Sequence, residues 1–389
     1  AQYNALLRYA FQVTDSELAS LGWNQKEMER SKKPVLKKTE SFGWFDGEKL
    51  ASQISVYPMQ VNLFGTMYNM GGVTGVATYP EYMGRGLMAH LMKKALDNMR
   101  ENHQCVSMLF PYLIPYYRKK GWEIVSDKMT YTIKDTQLPR RKPVPGMVER
   151  VPLESEDLKN VYEYFALQHH GALIRDDLAW DEYWRWDVDD EVVAMYYDAA
   201  DEPQGYLVYL LKREIFNIKE LVYLNQEARH GLWNYISAHF SMITDVRGYN
   251  YTGEPLAFLL EDSEIRETIE PNVMGRIIDV REFLSRYPFE NFREDLRLHL
   301  RIHDRMAEWN DGDFLLCVKD GEVTCEPCAD CEEDAAMVEM DIQTLTAMLM
   351  GYKRPSYLYE NERIQVDYHL IPYLERLIPI EKPYFSDYF

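Results

Sequence analysis

Residues 76–88 read Val76-Ala77-Thr78-Tyr79-Pro80-Glu81-Tyr82-Met83-Gly84-Arg85-Gly86-Leu87-Met88, and the rest of the chain is ordered around them. An apolar run enters a turn carrying two glycines, and a helical spacing of Leu87, Leu91, Ala95 and Met99 leaves it. The pattern predicts a strand, a turn whose glycines permit close backbone approach, and a helix starting at the second glycine. Such a start aims several unpaired N–H groups at one spot with the helix dipole behind them, which suits a diphosphate. A lone Gly-x-Gly says little. The strand before it, the helix after it and Arg85 between the glycines carry the phosphate reading.

Working outward, Thr14-Asp15-Ser16-Glu17 has the spacing of a capping box and predicts a helix over 14–23, with a second Lys- and Glu-rich helix to about residue 38. Strands follow over 41–45, 50–58, 60–67 and 70–78, with an Asp46-Gly47 turn after the first. After the helix over 87–99 come a short apolar strand at 106–110 and a short helix at 114–120 closed by Gly121. Pro143-Val144-Pro145-Gly146 breaks the pattern and reads as a linker.

The plan recurs about 145 residues on, more faintly. Helices are expected over 153–168 and 181–186, a hairpin over 192–198 and 205–211, a strand at 218–224 and a helix at 228–240. At the corresponding strand-to-helix turn this copy has Asn225-Gln226-Glu227-Ala228-Arg229-His230, with no glycine pair. The repeat is one of architecture, not chemistry. A third segment begins near Asp279. Its stretch from Leu296 to His303 alternates strictly, so Leu296, Leu298, Leu300 and Ile302 should face inward. Further strands are expected at 314–318 and 337–340, and a helix over 342–350 before Gly351. The sequence closes on Pro383-Tyr384-Phe385-Ser386-Asp387-Tyr388-Phe389.

The chain has 389 residues, enough for two or three domains, and a formal charge of −20 from 43 basic and 63 acidic residues. That excess of negative charge argues against nucleic acid or an anionic membrane as partner and suits a cationic small molecule, or simply solubility. No run is long and apolar enough to span a bilayer, and the first residues carry no signal-peptide pattern, so a soluble cytoplasmic protein is expected. Nine acidic and no basic residues lie between Asp320 and Tyr352, which reads as a solvated face. Five cysteines, Cys105, Cys317, Cys325, Cys328 and Cys331, are expected to be reduced thiols. The spacing of the last three invites a metal, but it is not a pair of CxxC knuckles, and none is expected. His299 and His303 would lie about 13 Å apart on a strand and face solvent. His169 and His170 read as helix surface.

The Glu81, Gly84 and Gly86 spacing resembles the Arg/Gln-x-x-Gly-x-Gly/Ala loop of the Gcn5-related N-acetyltransferase (GNAT) family, with Glu81 in place of Arg or Gln. The resemblance implies that the loop holds the pyrophosphate of acetyl-coenzyme A, with Gly84, Arg85, Gly86, Leu87, Met88 and Ala89 as cofactor contacts. It implies that Val76, Ala77 and Thr78 pair with the pantetheine arm, the Val76 N–H polarising the thioester carbonyl, and that Tyr112 and Leu113 also line the site. Tyr117-Arg118-Lys119-Lys120-Gly121-Trp122 is similar to the family's Tyr-x-x-x-Gly-(aromatic) segment, whose tyrosine protonates the departing thiolate; Tyr116 is the rival for that role.

The whole layout is similar to the enhanced intracellular survival acetyltransferases. An acetyl-CoA-binding domain is expected over 1–145 and a degenerate second copy over 146–280. A sterol carrier protein-like domain is expected over 281–389. The fold class implied is α/β (α+β): two tandem GNAT-like domains of mixed, mainly antiparallel sheet flanked by helices, plus the α+β third domain. In that family a terminal carboxylate serves as base, here on Phe389, and the chains form hexamers. The reaction implied is acetyl transfer from acetyl-CoA to a primary amine (aminoglycoside-, polyamine- or lysine-like) by direct attack in a ternary complex. The alternative is a lipid or small-molecule carrier with a vestigial acetyltransferase domain.

Overall fold

A computed structural model describes residues 2–14, 16, 36–185, 191–290, 296–319, 322–329 and 335–389. Most of the two helices expected before residue 38 falls outside the described residues. A helix the sequence reading passed over, α1 (Gln2–Ala10), buries Leu6 against Leu50 and Ala77.

The first meander is β1 (Glu40–Asp46), β2 (Lys49–Leu63) and β3 (Thr66–Thr78). Two strands expected at 50–58 and 60–67 are in fact one, because Pro58 sits in the ladder opposite Gly71. The chain reverses instead at Phe64 and Gly65, both at positive φ (50° and 85°). After β3 come α2 (Leu87–Glu101), β4 (Val106–Leu109), α3 (Ile114–Arg118) and β5 (Glu123–Lys134).

The second copy contains β6 (Met147–Val151), α4 (Glu156–Gln168), β7 (Leu173–Ile174) and α5 (Asp177–Arg185). Its hairpin is β8 (Val192–Tyr197) with β9 (Pro203–Lys212), followed by β10 (Ile215–Tyr223), α6 (Gln226–Ser237), β11 (Asp245–Asn250) and β12 (Arg266–Ile277). In each copy one strand crosses through a helix to a parallel neighbour, β3 to β4 and β10 to β11. The two copies share a single 12-stranded sheet ordered β1-β2-β3-β4-β12-β5-β11-β10-β9-β8-β6, with β7 on β2. β12 is wedged between β4 and β5 of the first copy, antiparallel to both.

The third unit opens with α7 (Val280–Ser285) and builds a five-stranded sheet. Its strands are β13 (Leu296–His303), β14 (Gly312–Lys319), β15 (Glu322–Pro327), β16 (Ala336–Asp341) and β17 (Ile364–Val366). Helices α8 (Ile342–Leu349), α9 (Pro355–Glu360) and α10 (Ile371–Leu377) complete it. Leu296, Leu298, Leu300 and Ile302 are buried as the alternation required, and they join Val61, Met70 and Met108 of the first copy in one core. The third unit therefore packs on the face of the first sheet opposite α2, whose Leu91, Ala95 and Met99 cover the other face with Val56 and Val73.

Several polar expectations are corrected. His170 is not helix surface but fully buried: its Nδ1 accepts from the Phe64 N–H (3.2 Å), its Nε2 donates to the Met350 carbonyl (2.8 Å), and its ring stacks on Phe64 at 3.5 Å. His169 stacks on Phe165 and bonds the Phe165 carbonyl at 2.8 Å. His299 and His303 each meet a carboxylate, Asp313 (2.6 Å) and Glu339 (2.8 Å), and His299 is half-buried. Cys105, Cys317 and Cys325 are free thiols, but Cys328 is disulfide-bonded, and Cys331 lies outside the described residues. Among the described residues no helix is long and apolar enough to cross a membrane.

His170 makes stability pH-dependent. Burial lowers its pKa from 6.5 to about 4, so below about pH 6.5 the unfolded chain takes up a proton that the folded chain refuses. This contribution is intact above the unfolded value and is lost as pH falls from there towards the folded one. Between about pH 7.5 and 5.5 it should cost about 1.4 kcal/mol. Urea melts of the wild type and His170→Gln across that range check it: the variant should lack this part of the pH dependence.

Candidate functional site

The site is built where β3 and β4 part. They pair only from Met70–Gly72 to Val106–Met108, and past Gly72 the ladder between them ends. On its other edge β3 keeps pairing with β2 to Thr78, across a bulge in which Gln53 and Ser55 face Ala77 and Thr74. The extra residue is accommodated by Gly75 at φ +62°, and a bulge of this kind re-aims the neighbouring Val76 peptide. Ser52 Oγ fixes this end through the Ala77 carbonyl (3.3 Å) and Thr78 Oγ1 (2.7 Å). The strand edge in the opening can accept an extended ligand as an added strand does.

Gly84 and Gly86 both take left-handed backbone, at φ +76° and +78°, and Gly86 caps α2 without any side-chain hydrogen bond. The Leu87 and Met88 N–H groups thus have neither an intrahelical acceptor nor a capping oxygen, whereas the Ala89 N–H already donates to the Gly86 carbonyl (3.0 Å). The turn is exposed from Met83 to Gly86, while Leu87 is buried beneath it and Met88 and Ala89 lie at its rim. A Cβ added at Gly84 meets nothing within 4 Å, so the space above the loop is open. Arg85 lies over the Tyr82 ring at 5.1 Å and donates to the Glu81 carbonyl (3.1 Å). Glu81 itself pairs with Lys49 at 2.8 Å on the surface, which offsets its charge.

Tyr117 is carried by α3, with Pro115 at an early helical position and Leu113 as N-cap. It is buried edge-on to Trp122 (6.4 Å) in the core that also holds Val73, Leu91 and Leu109, and burial pushes its phenol up to about 12, so it is a neutral donor at any working pH. Tyr116 stands edge-on to it at 5.2 Å and is less buried. Tyr112 and Leu113 are exposed at the mouth of the loop after β4. The end of α3 is gripped from outside the first copy. Gln343 Nε2 donates to the Arg118 carbonyl (2.8 Å), and buried Arg276 donates to the Lys120 carbonyl (2.7 Å) while pairing with Asp304 at 2.6 Å.

The aromatic tail arrives from the opposite face. The Tyr384 N–H donates to the His170 carbonyl (2.7 Å), Phe385 is buried in the core shared by the first and third units, and Asn272 donates to the Phe385 carbonyl (3.3 Å). The Phe389 ring packs near Tyr57 (6.3 Å) and Phe110 (5.6 Å) and lies against Gly72, where a Cβ would come within 2.7 Å of it. Thr74 Oγ1 donates to the Phe389 backbone oxygen at 3.4 Å. Since side chains alternate along a strand, Gly72 and Thr74 face the tail while Val73 faces the core that holds Tyr117. Tyr117 and Phe389 therefore flank the parting of β3 and β4 from its two sides.

The second copy has a different turn. At α6 the Asn225 side chain caps the helix by accepting from the Ala228 N–H (2.8 Å), and Glu227 in the first turn accepts from Tyr196 (2.7 Å). The helix start is filled by protein oxygens and carries negative charge, so it repels a phosphate.

Sequence reading missed the second-copy residues that hold the tail. Arg175, just after β7, is buried and donates through Nε to Asp387 (2.7 Å) and through Nη1 and Nη2 to Glu220 (3.2 and 2.7 Å). The charged dipeptide Arg175-Asp176 looks like any surface pair in sequence, and Asp387 lies 212 residues further on.

Three comparisons relate the chain to known proteins. Residues 1–125 and 171–277 each match a family model for an acetyltransferase (GNAT) domain, and residues 280–386 match a sterol carrier protein domain. No curated protein matches the chain. Among solved structures, a probable N-acyltransferase from Enterococcus faecalis is 29% identical and superposes with a TM-score of 0.90, over 100% of this chain and 96% of that one. A GCN5-related N-acetyltransferase from Anabaena variabilis is 23% identical with a TM-score of 0.85, over 100% and 97%. Eis1 from Mycobacterium abscessus shares the fold at 18% identity and a TM-score of 0.76, over 90% of each chain.

Proposed function

We propose that this chain, an acyltransferase with two GNAT domains and a sterol carrier protein domain, moves the acetyl group of acetyl-coenzyme A to a primary amine in a ternary complex. The observation that carries the reading is the flanking of the β3–β4 opening by a buried phenol on one side and the docked Phe389 carboxyl on the other. Residues 1–145 would bind acetyl-CoA, 146–280 form the copy without a cofactor loop, and 281–389 deliver the tail. The pyrophosphate is held by the N–H groups of Gly84 to Met88, with Ala89 at the rim, and the pantetheine arm runs along Val76, Ala77 and Thr78 past Tyr112 and Leu113. The Val76 N–H supports charge developing on the thioester oxygen. The amine approaches from the tail side. The Phe389 carboxylate takes its proton directly or through a water, the C–S bond breaks as the C–N bond forms, and Tyr117 donates its proton to the leaving thiolate. An acidic molecule suits a cationic acceptor of the aminoglycoside, polyamine or lysine kind. Exposed aromatics such as Phe240 and Phe258 are suited to contacts in a homo-oligomer, a hexamer by the resemblance, which sedimentation tests.

Thiol release with a panel of amines tests the activity: acetyl-CoA-dependent turnover with none of the three amine classes would refute it. Calorimetric titration should give one coenzyme A per chain, because the α6 start is capped and acidic. Gly86→Glu, a charged side chain at a left-handed position facing the pyrophosphate, should abolish binding altogether. Two sites per chain would refute the assignment of a single loop.

A further inference from the structure

We propose that Arg175 and Asp387 are positioning residues that lock the Phe389 carboxyl at the β3–β4 opening, so that the second GNAT copy serves as the socket for the tail; this rests on the reading of Phe389 as the base.

Arg175 lies in a box of aromatic faces: Tyr162 at 3.6 Å, Tyr183 at 4.2 Å and Trp180 at 4.6 Å from its guanidinium carbon. Three of its nitrogens are committed, one to Asp387 and two to Glu220. Tyr206 donates to the same Glu220 (2.8 Å), and Tyr162 donates to Asp387 (3.0 Å). The side chains of Arg175, Glu220 and Asp387 are 0%, 3% and 5% exposed.

One guanidinium therefore faces two carboxylates with almost no water. Glu220 alone would neutralise Arg175 and fill two of its nitrogens. Folding gains no charge balance from the second carboxylate, and burial raises the Asp387 pKa against the pull of Arg175. What Asp387 does gain is a fixed position. It stands two residues before Phe389, a reach of about 7 Å along extended chain. Arg175 follows β7, which pairs with β2 beside the site, through Gln60–Ile174 and Val61–Leu173. The clamp is thus referenced to the same sheet that carries Thr74 and Gly75. A charge-assisted bond fixes distance and direction more tightly than aromatic packing, which leaves a chain end free to slide.

Asp387→Leu keeps the neutral Arg175–Glu220 pair, the Ser386–Glu220 contact (3.4 Å) and the Leu173 carbonyl as acceptor for Tyr162 (2.9 Å), and it removes the grip of Arg175 on the residue nearest the chain end. Two readouts are taken on the full chain. The rate at which a carboxypeptidase releases Phe389 should rise at least 10-fold, and kcat should fall about 10- to 100-fold, with coenzyme A affinity within twofold of wild type. Asp387→Asn, which retains an acceptor oxygen, should restore part of both, and it carries the test should the leucine variant fail to fold. Adding Asp387→Leu to a chain lacking Phe389 should cause no further loss. Wild-type release of Phe389 from both variants would overturn the clamp. Faster release with unchanged kcat, or full turnover in the chain lacking Phe389, would instead overturn the base reading and leave the clamp standing.

Discussion

Replacing Gly121 by alanine is expected to destabilise the protein by about 4 kcal/mol, enough to threaten folding of the chain. Gly121 sits at φ +93°, where an L side chain is strained by roughly 1 kcal/mol. The larger cost is steric. An added Cβ would overlap the Arg276 guanidinium, with its central carbon only 2.6 Å away and Ile342 Cγ2 closing the other side at 3.2 Å. Arg276 has nowhere to retreat. It is fully buried over the Trp122 ring, its Nη2 holds Asp304, and Asp304 in turn accepts from Asn310 (3.1 Å) and the N–H groups of Met306 and Ala307. Shifting the guanidinium breaks a buried ion pair, which costs about 3–5 kcal/mol because each charge loses its partner without regaining water. Urea denaturation should show the midpoint falling with an unchanged slope. The effect should be non-additive with Arg276→Met: the double variant should cost clearly less than the two single losses summed. Full additivity would mean that the glycine acts through its backbone alone.

This contact also shows why so specific a requirement was only half legible in the sequence. Tyr117-x-x-x-Gly121-Trp122 could be read as a helix closed by a glycine, and it is. That the glycine makes room for an arginine 155 residues later depends on β12 being inserted between β4 and β5, which no local pattern announces. β12 itself contains Pro271 and two register shifts, so it lacks the alternation that made β13 obvious. The same contrast separates the turns. Gly84 and Gly86 advertise their left-handed backbone, whereas the reversal after β2 puts Phe64 at positive φ, and Pro58 upstream looked like the break. Phe64 is held there by tertiary contacts: its N–H meets His170, and its ring stacks on the same imidazole. His170 and Arg175 were missed for one reason. A buried polar side chain is recognised by its partners, and theirs lie far along the chain: Phe64 and Met350 for His170, Glu220 and Asp387 for Arg175.

Removing Phe389 is expected to lower turnover by about 10²-fold or more while leaving coenzyme A affinity within about twofold. An amine nucleophile is mostly ammonium near neutral pH and must lose a proton before or during attack. Groups on the first copy are badly placed to take it. Glu81 is tied to Lys49 on the surface, and His90 Nδ1 is bonded to the Gly86 carbonyl behind the phosphate turn (3.0 Å). An ionised α-carboxylate at the opening can attract the cation and orient it or a relaying water. Deletion draws the carboxylate back by one residue, about 3.5 Å, and removes the ring that packs near Tyr57, Phe110 and Phe385. The Arg175–Asp387 clamp lies upstream of the cut and should keep the rest of the tail in place, so the melting temperature should move little. The loss should therefore appear in kcat and not in cofactor binding, since the glycine turn and α2 lie on the other side of β3. Appending a short tag after Phe389 leaves the ring but replaces the carboxylate by an amide, and it should reproduce the loss. Tyr117→Phe should lower kcat by a separate route, leaving the amine's deprotonation intact, so its pH–rate profile should keep the wild-type acidic limb. If the deleted and tagged chains both turn over normally, the proton goes to another group and the tail is a structural anchor only.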